Sequence, residues 1–125
     1  MVVDSGYHKI LPIFLQSYNI AICLPNLRIA GRLILGTEEQ LEALFKGTNL
    51  IKILTGKLLS DKQVIRNETC WVLSNLAAGS NRYTSEIMNN EELVTNLLFL
   101  LESDTEEIRI EVMHLLANLT IDTDK

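Results

Sequence analysis

Trp71 is the only tryptophan among 125 residues; it lies four positions before Asn75, and Glu68 stands one turn ahead of it. At helical spacing these three share a face, whereas Ile65, Val72, Leu73 and Leu76 fall on another. An indole face can carry the stem of a lysine or arginine, with the charge held near the ring. A carboxylate one turn away can hold the cationic head. A carboxamide gives and takes hydrogen bonds, which suits an extended peptide backbone without partners of its own. The same residues also allow a purely internal chemistry, with Trp71 packed between neighbouring helices and Asn75 bonded to a neighbouring backbone. The sequence leaves both readings open.

What must position these side chains emerges from an internal repeat. A shift of 43 residues aligns Ile22 with Ile65 and Ile108, Leu11 with Leu54 and Leu97, Leu15 with Leu58 and Leu101, and Leu33 with Leu76 and Leu119. The helix carrying Trp71 recurs without insertion. Its expected core stripe is Ile65, Thr69, Val72, Leu73 and Leu76 in the middle copy, and Ile108, Val112, Leu115, Leu116 and Leu119 in the last. In the first copy the stripe is Ile22, Asn26, Ile29, Ala30 and Leu33, in the i, i+4, i+7, i+8, i+11 pattern of a core-facing helix. Shorter apolar segments intervene. The spacing predicts helices over 2–6, 10–17 and 22–35, over 38–46, 50–59 and 62–78, and over 82–88, 93–101 and 106–119. Pro25 fits a first helical turn better than an interior, so the third of these is expected to begin near Leu24.

Composition agrees with helices. Hydrophobic residues make up 47% of the chain and aromatics 6%, with only two prolines and six glycines. Three helices every 43 residues describe an all-α solenoid whose units bury their faces on one another, in approximate repeats 1–36, 37–79 and 80–122 of a single domain 1–125. A net charge of −5 and a pI near 5.0 argue against nucleic acid as a partner and favour a basic one. No apolar run reaches membrane-spanning length. Cys23 and Cys70 lie in apolar helical contexts without a pairing pattern, as buried free thiols in a reducing compartment would. The expected localisation is intracellular.

The stretch IRNETCWVLSNLAAGS (residues 65–80) closely resembles the third helix of an armadillo repeat of the importin-α family of nuclear-import receptors, in which a Trp four residues before an Asn is the repeated signature. LPNLRIAGRLILGTEEQ (24–40) is similar to one importin-α repeat in which Arg stands at the Trp position. The resemblance covers essentially the whole chain and points to the later repeats, around the family's minor cargo site. It implies a right-handed superhelix of three armadillo repeats, with the third helices lining a concave groove. It also implies basic, extended peptides of the nuclear-localisation-signal type as ligands, no cofactor, and residence in cytoplasm and nucleus. By position, Asn75 and Asn118 match the family's peptide-gripping Asn, Trp71 its Trp, and Glu68 and Glu111 the preceding acid. Arg28 and His114 occupy the Trp position of the outer copies, and Arg32 replaces the Asn in the first. The two arginines set positive charge beside the groove, against a basic cargo.

The remaining features point elsewhere than catalysis. His8 and His114 fall in different copies, neither cysteine has a histidine within helical reach, and no Gly-rich phosphate loop occurs. His114 reads as a groove-wall or inter-helix residue rather than a metal ligand. The acidic run Glu102, Asp104, Glu106 and Glu107 reads as a solvated loop and a dipole-favoured helix start. Apolar faces left open at the two ends predict self-association or a bound neighbour through residues 10–15 or 115–119.

Overall fold

A computed structural model describes residues 7–47, 49–79 and 81–123; the short helix expected over 2–6 lies outside them. Eight helices follow one another: α1 (Tyr7–Leu15), α2 (Ile20–Ile34), α3 (Glu38–Gly47), α4 (Leu50–Lys57), α5 (Gln63–Gly79), α6 (Asn81–Met88), α7 (Glu91–Ser103) and α8 (Glu106–Thr123). The described residues contain no strand. The starts are set by local chemistry. Asn19 Oδ1 accepts from the Ala21 N–H at 3.0 Å and Asn90 Oδ1 from the Leu93 N–H at 3.0 Å, each satisfying an orphan donor. Acidic pairs Glu38–Glu39, Glu91–Glu92 and Glu106–Glu107 sit in the first turns of α3, α7 and α8, where the helix dipole favours them.

The expected start of α2 near Leu24 is corrected by this capping. With Asn19 as the cap and its carbonyl accepting from the Ile22 and Cys23 N–H groups at 2.9 Å, the helix forms from Ile20 and Pro25 lies inside it. Proline removes the donor that would reach the Ala21 carbonyl. Ala21 and Pro25 are both exposed, so water can satisfy that carbonyl.

The long helices α2, α5 and α8 stack side by side, and α5, in the middle, is covered on both flanks. It buries Ile65, Thr69, Val72 and Leu76 together with Cys70, Leu73 and Ala77. Helix α8 buries only the counterparts of the first set, Ile108, Val112, Leu115 and Leu119; α2 buries only those of the second, Leu27, Ala30 and Ile34, with Cys23 and Gly31. The core stripe expected for the first copy is therefore shifted by one residue. Ile22 is 39% exposed, and Asn26, Ile29 and Leu33 are half-buried, because they lie on the flank of α2 turned away from α5. Each fully buried leucine stabilises this stack by roughly 1.5–3 kcal/mol relative to exposure.

The shorter helices are tied along the same direction. The Phe45 and Tyr83 rings stack at 4.1 Å between centroids, joining α3 to α6. Buried Asn96 donates to the Thr55 carbonyl at 2.9 Å, joining α7 to α4. Asp104 departs from the solvated-loop expectation: its carboxylate is 4% exposed and takes a two-pronged bond from Arg66, at 2.7 and 3.0 Å. Arg66 also donates to the Ser60 carbonyl at 2.9 Å, so α5 is fastened to the turns at both α4–α5 and α7–α8. Leu11, Leu15, Leu115 and Leu119, expected at open ends, are fully buried. The exposed apolar residues include Ile10 and Ile13 of α1 in the first repeat, and Leu98, Phe99 and Met113 of α7 and α8 in the last.

Candidate functional site

Trp71 sits midway along α5, and its ring lies directly over Gly31 of α2. A Cβ placed on Gly31 would stand 2.9 Å from Trp71 Cη2 and 3.0 Å from Cε3, so only glycine admits the indole there. Asn75, one turn on, donates from Nδ2 to the Gly31 carbonyl at 3.1 Å. Both residues thus realise the internal chemistry, and both keep something for a ligand: Trp71 remains half-exposed, and Asn75 Oδ1 has no partner among the described residues.

The charges follow the same junction. Arg28 Nε bonds Glu68 Oε1 at 3.2 Å across α2 and α5, with the two side chains 48% and 17% exposed. Glu68, expected to hold a ligand's cation, therefore already carries a counter-charge. A cleft of about 320 Å³ gathers Arg28, Arg32, Asn67, Glu68, Trp71 and Glu111. Five of the eight sequence candidates meet there. Asn75 lies beside the cleft under Gly31; Asn118 is half-buried and without a side-chain hydrogen bond to a described residue; His114 is exposed and outside the lining. The cleft's four charged side chains are two guanidiniums and two carboxylates, so its formal charge balances.

Two contributors had escaped the reading of the sequence. Gly31, a glycine inside a helix with no turn to make, is the kind of position that signals close approach of a neighbour. Asn67 stands four residues before Trp71 on the same face, and its Oδ1 is buried without a partner among the described residues, as is Ser74 Oγ further along α5. A larger cleft, about 730 Å³, opens between α1 and α4 over Gly56, with Lys52, Lys57 and Tyr18 in its walls. Sequence repetition hides it, because the counterparts of Gly56 are Ile13 and Phe99.

Titration chemistry separates structural from reactive groups. Burial pushes the Cys70 thiol up to about 12, and burial likewise raises Cys23 despite the nearby Lys57 ammonium. Both thiols are free and buried, and neither is a nucleophile at neutral pH. The bond from Arg66, followed by the Thr105 N–H, holds the Asp104 carboxyl below its usual range. Among the described residues no group of three or more His, Cys, Asp or Glu could hold a metal, and no helix is long and apolar enough to cross a membrane.

Stacked helix triplets with a Trp–Asn pair on the innermost helix define an armadillo-repeat solenoid. Solved armadillo structures share this backbone: a designed armadillo repeat protein in complex with a (KR)4 peptide superimposes with a TM-score of 0.83 at 18% identity, over 94% of this chain and 48% of that one. Computationally designed armadillo repeat proteins for modular peptide recognition give 0.81 at 16% identity, over 93% and 48%. No protein-family profile matches the chain. In sequence, its repeats are importin-α-like. The chain is 34% identical over 111 residues to importin subunit alpha-2 of Oryza sativa subsp. japonica, covering 85% of this chain and 21% of that protein. It is 25% identical over 88 residues to importin subunit alpha-1a of the same organism, covering 70% and 17%. The chain thus spans about a fifth of the length of these relatives.

Proposed function

We propose that the face formed by α2, α5 and α8 is a groove for extended basic peptides of the nuclear-localisation-signal type, serving nuclear protein import between cytoplasm and nucleus. The observation that carries this reading is the half-exposed Trp71, which shares one cleft with the carboxylates of Glu68 and Glu111. The importin alpha relatives and the designed neighbour that holds a (KR)4 peptide support it. Three repeats, 1–36, 37–79 and 80–122, supply the three inner helices.

Binding is expected to be weak. One exposed cation–π contact contributes about 0.5–1 kcal/mol, and each hydrogen bond accepted by Asn75 Oδ1 or made by Asn118 roughly 0.5–1.5 kcal/mol. Their sum falls well short of the roughly 8 kcal/mol of a micromolar complex, so the dissociation constant should exceed about 10 μM and rise with salt. Trp71 is the sole tryptophan, and its fluorescence reports on occupancy. A Lys/Arg-rich peptide titrated into the protein should perturb that signal, and calorimetry should register weaker binding to Trp71→Ala/Asn75→Ala. Equal binding by a folded double variant would remove the groove from consideration.

A second reading is favoured by a separate observation. Asn75 Nδ2 and one face of Trp71 are committed to Gly31, and apolar Ile10, Ile13, Leu98, Phe99 and Met113 are exposed in the first and last repeats. In that reading the chain is a scaffold whose ends take a second copy or further repeats. Light scattering across a concentration series separates the two: mass rising with concentration supports end-to-end association, and a constant monomer mass rejects it.

A further inference from the structure

The charges in the cleft are arranged in an order that a purely basic ligand matches on the α8 side and opposes on the α2 side. Helices α2, α5 and α8 stack in that sequence, so a segment laid across them meets Arg32 first, then Trp71, then Glu111. Arg28 and Glu68 neutralise each other at 3.2 Å, which leaves Arg32 and Glu111 as the charges of the cleft that have no opposite partner among the described residues. Arg32 is exposed on α2 and Glu111 half-buried on α8, the two helices that flank the Trp71 helix. A lysine or arginine seated over Trp71 has Glu111 beyond it, but any cation placed on the α2 side faces an uncompensated guanidinium.

We infer that this cleft selects mixed-charge peptides, in which a carboxylate side chain on Arg32 accompanies a lysine or arginine held between Trp71 and Glu111. The inference rests on the peptide-groove reading and narrows its ligand class. The Trp71 ring reaches α2 over Gly31, beside Arg32, and an extended chain advances about 3.3 Å per residue while a guanidinium side chain is long, so an acid up to about three residues from the cation, on the α2 side, can meet Arg32. Guanidinium–carboxylate pairing in a partly exposed cleft adds a modest and salt-sensitive gain.

The test uses the whole chain and four probes: a (KR)4 peptide, and three peptides with one central lysine in a neutral extended background. One of these three carries Glu three residues before the lysine, one carries it three residues after, and one has Gln at both places. Binding is read by Trp71 fluorescence and by calorimetry at low and high salt. One of the two Glu peptides should bind about two- to fivefold more tightly than the Gln peptide at low salt, with the gain shrinking at high salt. Arg32→Ala should erase that gain and Arg32→Glu should turn it into a loss, while both variants bind (KR)4 more tightly than the wild type does. Equal affinity of Glu and Gln peptides, or a gain that survives Arg32→Ala, overturns the mixed-charge selectivity while a bound (KR)4 leaves the peptide groove standing. If none of the four peptides binds, both inferences fall together.

Discussion

The two junctions made by α5 are built from corresponding positions and held by different means. Toward α2, Gly31 lets the Trp71 ring down onto the backbone, Asn75 bonds the Gly31 carbonyl, and Arg28 pairs with Glu68. Toward α8, the residue 43 positions after Gly31 is Ser74, and that after Trp71 is His114, which is exposed. Ser74 Oγ is buried without a partner among the described residues, and Asn118, the counterpart of Asn75, makes no side-chain hydrogen bond to a described residue. What fastens that junction is the Arg66–Asp104 fork, whose counterparts toward α2 are Cys23 and Asp61 and cannot form it. A missing Cβ makes one junction and a buried ion pair the other. The one Trp–Asn pair docks where a glycine faces it, and the junction with serine at that position is pinned at the turn.

The fork is where the comparison should break most strongly. Asp104→Asn removes the charge and one acceptor oxygen from a two-pronged bond and leaves Arg66 short of its counter-charge, so it should cost about 2–3 kcal/mol in urea unfolding. The corresponding Asp61→Asn, which has no such arginine, should change stability by less than about 0.5 kcal/mol. The pH dependence has a definite sign. The Asp104 carboxyl titrates below its usual range in the folded chain, so its contribution is complete above the unfolded carboxyl's value, near 3.9, and is lost as pH falls through the lowered native value. Unfolding midpoints from pH 6 down to pH 3 should fall less for Asp104→Asn than for the wild type. Parallel curves would assign the acid sensitivity to other carboxylates.

At the α2 junction the corresponding change is steric. Gly31→Ala puts a methyl group into the indole and should cost about 1–3 kcal/mol, with a shift in Trp71 emission as the ring is displaced. Combining Gly31→Ala with Trp71→Ala should recover part of that loss, because the clash disappears with the ring; a strictly additive double variant would contradict the packing. Ser74→Ala, on the other flank, removes a buried hydroxyl that has no partner among the described residues and should be neutral or slightly stabilising.

The all-helical solenoid was legible in the sequence, because 3.6-residue periodicity and a 43-residue shift fix which face each residue occupies, and the likeness to importin-α repeats singled out Arg28, Arg32, Glu68, Trp71 and Glu111, which line one cleft. The core stripe of α2 was not. Periodicity finds an apolar face, yet Ile22, Ile29 and Leu33 form one flank, and only the presence of a neighbour decides which flank is buried. Pro25 misled for a related reason: Asn19 lies outside the apolar pattern, and a cap there extends the helix past the proline. Asp104 looked like one more acid in a solvated run, since its arginine is 38 residues away and on no shared helix face. Pairings that cross between repeats are set by how the helices stack, and a single chain's spacing carries no direct trace of them.

The smallest expected effect bears most directly on the groove. Arg28–Glu68 is a partly exposed pair, so Arg28→Ala should lower stability by less than about 1 kcal/mol, and by less still in high salt. Its consequence for ligand binding runs in the opposite direction. Without Arg28, the 17%-exposed Glu68 carboxylate loses its internal counter-charge and faces the cleft beside Trp71, free to take a ligand's cation. Calorimetric titration of a Lys/Arg-rich peptide at low salt should then give tighter binding to Arg28→Ala than to the wild type, by up to about fivefold, and Glu68→Gln in the same background should cancel the gain. Tighter binding together with slightly lower stability would mean that the pair holds α2 to α5 at the expense of the groove. Unchanged affinity would mean that Glu68 belongs to the junction alone, leaving Glu111 as the carboxylate that a bound cation meets.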